Sequence, residues 1–250
     1  MPRSKPGARG QRQAFQFYGR RKGRRLREGR RSLFDAVLPA LRVDIAAGRE
    51  LDPRSLFDAP REVWLEIGFG GGEHLAAQAA AHPDVGLIGC EVFQAGIASA
   101  LGHIAQAGLK NIRLHPEDAR ELLAVLAPRS LDRVFLLFPD PWPKRRHEQR
   151  RFIGRANIDR LAQLMRPGAE LRIASDDPTY QEWVLRHVPV HPAFRWHARS
   201  PVDWLQRPSD AIETRYERKA RDAGRTPMFF RFLRSSPPSP GEEGGGAPEE

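Results

Sequence analysis

Short apolar runs alternate with segments of helical spacing through the middle of the chain. The apolar runs predict strands at Val63–Ile67, Val85–Glu91, Ile112–Leu114, Leu131–Phe138, Glu170–Ala174 and Met228–Leu233. The segments between them predict helices at His74–Ala81, Gln94–Ala107, Ala119–Ala127, Asn157–Met165 and Tyr180–His187. This alternation predicts an α/β fold with a mostly parallel sheet and helices on both faces. Ligands of such sheets bind beyond the carboxyl ends of the strands, so functional residues are expected in those turns.

The formal net charge of +10 is concentrated at the N-terminus. Residues 3–31 hold twelve Lys or Arg side chains and one acid, which leaves 29 basic and 30 acidic side chains elsewhere. We expect a basic arm over residues 1–30, a folded domain over 31–234 and an acidic Pro/Gly tail over 235–250, with both ends disordered. A basic arm binds polyanions by releasing counterions, although a solvated tail or a targeting extension has the same composition.

Cysteine content and hydropathy limit the class of protein. The single cysteine, Cys90, excludes an internal disulfide and a multi-cysteine zinc site, and no metal site is predicted. No segment approaches the roughly 20 apolar residues that span a bilayer. The basic N-terminus lacks the apolar region of a secretory signal. We therefore expect a cytoplasmic protein that does not contact membranes.

A glycine-rich turn, from Glu66 to Gly72, follows the first predicted strand and opens a helix. Glycines allow a tight turn and let a ligand approach the backbone closely. Dinucleotide sites use the spacing G-x-G-x-x-G, whereas S-adenosylmethionine sites use an acid followed by x-G-x-G-x-G. The second spacing fits here, because the Glu66 carboxylate suits a cationic amino group and would repel a pyrophosphate. A glycine turn that serves packing alone is the alternative.

Acidic residues also follow the next two predicted strands. Glu91 can accept the ribose hydroxyls of a nucleoside, or can be an exposed strand end. Asp118 can bond an adenine amino group, can N-cap the next helix, or can do both. Three successive acid-bearing turns predict a nucleoside pocket. Cys90, beside Glu91, is expected to be a small buried residue rather than a nucleophile.

The segment Phe138-Pro-Asp-Pro-Trp-Pro-Lys144 is the most specific motif in the chain. Each proline fixes φ and removes a backbone donor, so three prolines in five residues predict a rigid loop. The loop holds the acid Asp140 and the ring of Trp142 in a fixed relation. Such a pair suits the clamping of a planar base while its ring nitrogen attacks a methyl group.

Basic and polar segments follow this loop. Residues 144–151 and Arg155 form a cationic cluster, which predicts contact with RNA phosphates or, alternatively, a solvated helix face. Asp176 follows the fifth strand and is expected at the same rim of the sheet, or as a helix N-cap. Thr214–Glu217 begins a basic segment before the last strand, and its spacing is also that of a capping box.

Together these motifs resemble the bacterial single-chain tRNA guanine-N7 methyltransferases, in order from about residue 55 to 234. The resemblance implies a Rossmann-like, S-adenosylmethionine-dependent methyltransferase fold with a seven-stranded sheet. It implies that S-adenosylmethionine is the methyl donor and that the acceptor is N7 of the variable-loop guanine, position 46, of tRNA. It further implies a monomer or homodimer with no obligatory protein partner.

The resemblance also implies roles for residues by position. The residues expected to contact the donor are Glu66, Gly68, Gly70, Glu91, Asp118, Ala119 and Asp140, with Asp140 also the catalytic acid. Those expected to contact the substrate are Lys144, Asp176, Thr214, Arg215, Tyr216 and Glu217. Those expected to contact RNA are Arg146, His147, Arg150 and Arg151.

Two positions depart from the family pattern, and two rival functions share parts of it. Gly71 and Pro143 stand where other residues are common in the family, although neither replaces a functional side chain. A methyltransferase of another RNA base, of a small molecule or of a protein is one rival. A non-enzymatic RNA-binding protein on a methyltransferase fold is the other, and the acids Glu66, Glu91 and Asp140 argue against it.

Overall fold

The computed structural model describes residues 21, 23, 26–46 and 48–236, and its strands and helices largely follow the predicted pattern. The strands are β1 (Glu62–Ile67), β2 (Val85–Cys90), β3 (Ile112–His115), β4 (Leu131–Leu137), β5 (Met165–Ser175), β6 (Phe194–Trp196) and β7 (Met228–Arg234). The helices are α1 (Glu28–Leu41), α2 (Glu73–Ala81), α3 (Gln94–Ala107), α4 (Ala119–Val125), α5 (Arg155–Leu164), α6 (Pro178–His187), α7 (Val202–Leu205) and α8 (Arg215–Asp222). Short 3₁₀ turns lie at Pro53–Leu56 and Arg145–Arg150.

The strands form one seven-stranded sheet in the order β3-β2-β1-β4-β5-β7-β6. Strands β1 to β5 are parallel to their neighbours among themselves, and β7 is antiparallel to both β5 and β6. This topology confirms the predicted Rossmann-like α/β fold. The order reverses between β1 and β4, since β2 and β3 extend one way from β1 and β5 extends the other way from β4.

Consecutive residues of the central strands point to opposite faces of the sheet, and each face has its own core. Trp64 and Leu87 pack in a core with α1, α2 and α3. Leu65 and Ile88 pack in the other core, with α4, α5 and α6. Strand β2 is buried along its whole length, as a parallel strand covered on both sides must be. The prediction of helices on both faces is therefore confirmed.

Helix α1 is the largest element that the sequence pattern did not predict. It packs against α3 through Phe34, Val37, Leu38 and Leu41, which recur at helical spacing. The many arginines before Ser32 obscure that spacing. The helix begins at Glu28, three residues before the predicted domain boundary. The predicted disorder of the two ends falls largely on residues 1–20 and 237–250, which lie outside the described residues.

Other differences concern the lengths of elements. Strand β5 begins at Met165, where the helix predicted over Asn157–Met165 was expected to end, and five residues before the predicted strand Glu170–Ala174. Strand β6 has three residues, too few to produce a recognisable pattern. Among the described residues, no helix is long and apolar enough to cross a membrane.

A buried histidine makes the stability of the fold depend on pH. His115 ends β3 with 2% of its surface exposed, and within the described part of the chain neither ring nitrogen has a hydrogen-bond partner. Burial lowers the pKa of His115, and the charge of Arg42 adds to this effect, although the backbone of Asp118 and the charge of Glu117 act to raise the pKa. The unfolded chain therefore binds a proton at a pH where the folded chain does not, so stability falls as the pH drops below about 6.5.

We predict that His115→Leu reduces this loss of stability. The free energy of unfolding, measured with urea at about pH 7.5 and about pH 5.5, should fall less between the two conditions in the variant than in the wild type. An equal fall in both proteins would contradict the assignment of an uncharged buried ring.

Candidate functional site

A crevice opens at the carboxyl ends of β1 and β4, where the strand order reverses. This is the position at which open α/β sheets bind ligands. The crevice is lined by Glu66, Gly68, Phe69, Glu73, His74, Leu137, Phe138, Thr214 and Tyr216. A more apolar cavity adjoins it and continues over β4, β5 and β7 towards Phe135, Phe229 and Phe230. The glycine-rich turn, the proline-rich loop and the start of α8 therefore meet at one place.

The glycine-rich turn leaves room for a ligand against its backbone. Gly68 has a φ of +73°, and a Cβ atom added to it would meet no atom within 4 Å. Gly70 has a φ of +58°, and a Cβ atom there would lie 2.8 Å from the ring of Tyr216. The positive φ therefore favours glycine at this position, and a side chain on Gly70 would also displace the ring of Tyr216. The open side of the turn faces the crevice at Gly68.

The Glu66 carboxylate is buried at the base of the crevice, with 4% of the residue exposed. Its Oε2 lies 2.9 Å from Nδ1 of His74, which is 3% exposed and lies in the first turn of α2. The ring of His74 also packs edge-on against Phe135, with 4.8 Å between ring centroids. Sequence reasoning did not assign His74, although its place eight residues after Glu66, on the helix that the turn opens, is a usable signal.

Glu91 connects the glycine-rich turn to the turn after β2 through hydrogen bonds to its carboxylate. Its Oε2 accepts a hydrogen bond from Gly70 N at 2.8 Å, and its Oε1 accepts from Val92 N and Phe93 N at 2.8 and 2.9 Å. Burial raises the pKa of Glu91, the three backbone donors partly offset the rise, and the charge of Asp140 adds to it. Three donors occupy three of about four acceptor directions of a carboxylate, which leaves room for a ligand hydroxyl.

Asp118 N-caps helix α4, so the predicted capping role of this residue is confirmed. Its Oδ1 accepts from Arg120 N at 2.9 Å, and its Oδ2 accepts from Arg120 Nη2 at 2.6 Å. Asp118 and Ala119 are both buried, with 6% and 8% exposed. Cys90 is buried as predicted, and burial raises the pKa of its thiol.

The proline-rich loop is strained at two positions. Phe138 and Trp142 have φ values of +50° and +43°, a region of backbone conformation that residues other than glycine rarely adopt. Each such residue costs about 1–3 kcal/mol and persists only where the surroundings hold it. Asp140 and Lys144 are exposed on the loop. Among the described residues, no hydrogen bond or ion pair engages the carboxylate of Asp140.

The predicted RNA contacts lie close to this loop. The Arg150 guanidinium lies 4.9 Å from the centre of the Trp142 ring, and His147 packs edge-on against that ring at 5.8 Å. Arg146 is exposed and donates from Nε to His147 Nε2 at 3.3 Å. The pKa of His147 is lowered, first because the ring loses hydration and then because it lies near the positive charges of Arg150, Arg146 and Lys144.

Arg151 differs from these neighbours, because it is only 7% exposed. It donates from Nε to the carbonyl of Pro141 at 2.9 Å and from Nη2 to the carbonyl of Trp142 at 3.0 Å. Two of its three guanidinium nitrogens are thus bonded inside the protein, so Arg151 is a weaker candidate for the predicted RNA contact than the exposed Arg146.

The residues predicted to contact the substrate lie at two places beyond the carboxyl ends of the strands. Asp176 follows β5, and Thr214 to Glu217 lie at the start of α8. Asp176 accepts from Arg225 Nε at 2.6 Å, whereas the N-cap of α6 is Asp177, whose Oδ1 accepts from Tyr180 N at 3.0 Å. Thr214 caps α8 by accepting from Glu217 N at 3.2 Å, so the structural alternative for this threonine is confirmed.

The three residues after Thr214 have different surroundings. Tyr216 is 40% exposed beside Gly70, and its hydroxyl lies 3.0 Å from Arg215 Nη2. Glu217 is 1% exposed, and ion pairs with Arg207 at 3.2 Å and Arg221 at 2.6 Å engage its carboxylate. These pairs leave little of Glu217 for a direct substrate contact in this conformation, because its oxygens are enclosed by the protein.

A partly buried charged network holds the segment before α8 against the sheet. Arg172 on β5 donates from its two Nη atoms to the two carboxylate oxygens of Asp210, each at 2.8 Å. Glu170 on the same strand accepts from Arg172 at 2.8 Å and from Arg231 at 2.5 Å. Sequence reasoning missed these residues. Their signal is the alternation of charged and apolar residues in Glu170-Leu-Arg-Ile173, which places both charges on one face of the strand.

Two glycines of α3 give a matched test of the packing behind the glycine-rich turn. A Cβ atom on Gly96 would lie 2.2 Å from the carbonyl oxygen of Gly70, whereas a Cβ atom on Gly102 would meet nothing within 4 Å. We predict that Gly96→Ala lowers the free energy of unfolding by about 1–3 kcal/mol, because the turn must move. Gly102→Ala should instead stabilise the protein by up to about 1 kcal/mol through helix propensity. Urea unfolding of both variants checks this, and equal effects would contradict the close contact.

Comparisons with known proteins agree with this geometry. A family model described as "Putative methyltransferase" matches residues 60–229. The chain is similar to the tRNA (guanine-N(7)-)-methyltransferase of Rhodospirillum rubrum, with 57% identity over 222 residues that cover 87% of each chain. It is also similar to the enzyme of the same name from Paramagnetospirillum magneticum, with 51% identity over 221 residues, 87% of this chain and 92% of that one.

Solved structures support the fold alone, because their sequence identity is low. The 16S rRNA (adenine(1408)-N(1))-methyltransferase from Catenulisporales acidiphilia superposes with a TM-score of 0.50 at 19% identity, over 78% of this chain and 100% of that one. The 16S rRNA methyltransferase KamB gives a TM-score of 0.51 at 17% identity, over 74% and 91%. The family match and the extended identity with curated relatives, together with the site geometry, show that this chain belongs to the tRNA (guanine-N(7)-)-methyltransferase family.

Proposed function

We propose that this protein transfers the methyl group of S-adenosylmethionine to N7 of the variable-loop guanine, position 46, of tRNA. The observation that carries the proposal is the set of acids at or just after the carboxyl ends of four adjacent parallel strands. These acids are Glu66, Glu91, Asp118 and Asp140. The names of the similar proteins from Rhodospirillum rubrum and Paramagnetospirillum magneticum supply the base and the ring position. A tRNA substrate implies that the protein works in the cytoplasm.

The crevice fits a donor with a cationic amino acid part and a nucleoside part. The buried Glu66 carboxylate would attract the amino group, and the open space at Gly68 would let the donor lie against the backbone. Glu91 would accept a ribose hydroxyl in its free acceptor direction, while the rim at Asp118 and Ala119 would face the adenine. When bound, the sulfonium supplies an electrophilic methyl group and leaves as a neutral thioether.

Asp140 is the residue we assign to the reacting base. Guanine N7 has an exposed lone pair and needs no deprotonation, so correct positioning supplies much of the rate. As the N7–carbon bond forms and the carbon–sulfur bond breaks, the purine gains a positive charge. The exposed Asp140 carboxylate would stabilise that charge, and the Trp142 ring would form a wall of the base site.

The contacts proposed for the rest of the tRNA lie around the same loop. Lys144, Arg146, His147 and Arg150 would contact phosphates next to the target base. Asp176, Thr214, Arg215 and Tyr216 would contact the target nucleotide from the opposite rim, where Tyr216 lies over the glycine-rich turn. Glu217 would act by holding α8 through its ion pairs rather than by direct contact.

A transfer assay with site-selective cleavage tests this function. The protein is incubated with methyl-labelled S-adenosylmethionine and an unmodified tRNA transcript, and the product is then cleaved selectively at N7-methylguanine. We expect label in the tRNA and one cleavage point in the variable loop. Label in tRNA without that cleavage would favour methylation of another base. Absence of label with intact tRNA binding would favour a non-enzymatic RNA-binding protein.

The role of Asp140 can be separated from donor binding. We predict that Asp140→Asn, which keeps the shape of the side chain and removes its charge, lowers kcat about 100- to 1000-fold. The dissociation constant of S-adenosylmethionine, measured by calorimetry, should change much less, because Glu66 and Glu91 remain in place. Near-normal turnover by the variant would contradict the charge-stabilising role.

The salt dependence of tRNA binding tests whether Arg146 and Arg150 contact phosphates. We predict that Arg146→Ala combined with Arg150→Ala weakens tRNA binding and reduces the slope of log K against log salt by about one for each phosphate that is no longer neutralised. Filter binding between about 50 and 200 mM salt measures that slope. A slope equal to that of the wild type would exclude phosphate contact by these two side chains.

A further inference from the structure

Arg151 is placed unlike the other cations of its segment. It is 7% exposed, whereas the side chain of Arg155, four residues later, is 84% exposed. Its contacts within the described part of the chain are with backbone carbonyls and an aromatic ring. A buried guanidinium is costly to desolvate, so its contacts inside the protein must compensate for the lost hydration.

The two hydrogen bonds of Arg151 fall on the peptide groups on both sides of one residue. Nε donates to the Pro141 carbonyl at 2.9 Å, and Nη2 donates to the Trp142 carbonyl at 3.0 Å. These carbonyls belong to the peptide planes before and after the Trp142 α-carbon. Because φ and ψ are the rotations between those two planes, the planar guanidinium fixes both angles together.

The residue fixed in this way is one of the two strained residues of the loop. Trp142 has a φ of +43°, a conformation that an L-residue leaves unless its surroundings oppose the change. Asp140 lies two residues before Trp142 and Lys144 lies two residues after it. A relaxation of Trp142 would therefore redirect the proposed catalytic acid and the proposed substrate-binding lysine at the same time.

Arg151 itself has a rigid support on α6. Its guanidinium carbon lies 4.4 Å from the centre of the Trp183 ring. Trp183 is held in turn by a hydrogen bond from its Nε1 to the Ile153 carbonyl at 2.6 Å and by stacking on His187 at 3.8 Å. The chain of contacts thus runs from α6 through Trp183 and Arg151 to the loop.

We propose that Arg151 is a positioning residue for the methyl transfer, which clamps Trp142 in its left-handed conformation on the support of Trp183. It contacts neither donor nor tRNA, and it acts through Asp140 and Trp142. The kinetic part of this proposal rests on the proposed function, whereas the clamp itself does not.

The chain offers a matched control for the removal of such a clamp. Arg160 on α5 also donates to backbone carbonyls, at 2.7 Å to Leu123 and 3.0 Å to Leu126, which lie at the end of α4 and away from the crevice. Lysine in place of either arginine keeps the charge and most of the side chain, but cannot reproduce the planar fork. Arg151→Lys and Arg160→Lys should therefore each lower stability, whereas only Arg151→Lys should affect the site.

The kinetic test compares the two variants at saturating tRNA and S-adenosylmethionine. We expect Arg151→Lys to lower the single-turnover rate roughly 10- to 100-fold, with tRNA affinity and its salt slope close to those of the wild type. Arg160→Lys should leave the rate within about twofold of the wild type, because its fork lies outside the site. Equal loss of rate in both variants would reduce Arg151 to a merely structural residue. Weaker tRNA binding with a smaller salt slope and an unchanged rate would make it an RNA contact.

A spectroscopic measurement tests the clamp without any activity. The five tryptophans are replaced by 5-fluorotryptophan, and the Trp142 resonance is assigned from the Trp142→Phe variant. We expect the fluorine resonance of Trp142 to shift or broaden in Arg151→Lys and to stay in place in Arg160→Lys. An unmoved Trp142 resonance in Arg151→Lys would overturn the proposal. If the wild type transfers no methyl group to tRNA while Trp142 moves as expected, the proposed function fails and the clamp stands.

If Arg151→Lys does not fold, Trp183→Phe provides a second variant. It keeps an aromatic face under Arg151 but loses the hydrogen bond to Ile153. We expect a smaller displacement of the Trp142 resonance and a smaller loss of rate than for Arg151→Lys. A Trp142 resonance and a rate both equal to those of the wild type would contradict the role of Trp183 as the support.

Discussion

The reversal of strand order between β1 and β4 is the constraint on which the site depends. Right-handed crossovers send the helices that follow β1 and β2 to one face of the sheet and those that follow β4 and β5 to the other. The two separate cores show this division. The helices that leave β1 and β4 therefore diverge, and the turns after these two strands stand open to each other. Glu66 and the proline-rich loop face one crevice for that reason.

The crevice is closed on its remaining side by a segment that ion pairs hold. Arg172 and Asp210 form a two-bond pair, and Glu170 lies among Arg133, Arg172 and Arg231. Burial acts to raise the pKa of Glu170, but the attraction of these arginines outweighs burial and the pKa is lowered. The net stabilisation from such ion pairs is small once the cost of desolvating the charges is subtracted. Their effect on the site is to hold the segment before α8 in place, which fixes where α8 begins. Thr214 and Tyr216 reach the crevice as a result.

The sequence predicted well those features that depend on local chemistry. The glycine-rich turn, the acids after successive strands and the helix cap at Asp118 each follow from residue types at fixed spacing. Features that depend on distant contacts were missed. The apolar face of α1 meets α3 from more than fifty residues away, and strong charge beside it conceals the spacing. Arg151 has the sequence surroundings of an RNA contact, and only the positions of Pro141, Trp142 and Trp183 show that it points inward.

Methyl transfer to a tRNA that carries 7-deazaguanine in place of the variable-loop guanine tests the central claim most directly. The analogue keeps the shape and pairing edge of guanine but replaces N7 with carbon, so no lone pair remains to attack the methyl group. We expect label in the guanine tRNA and none in the deaza tRNA, while the two tRNAs bind with affinities that agree within about twofold. Equal label in both tRNAs would contradict it, because the methyl acceptor would then be an atom other than N7.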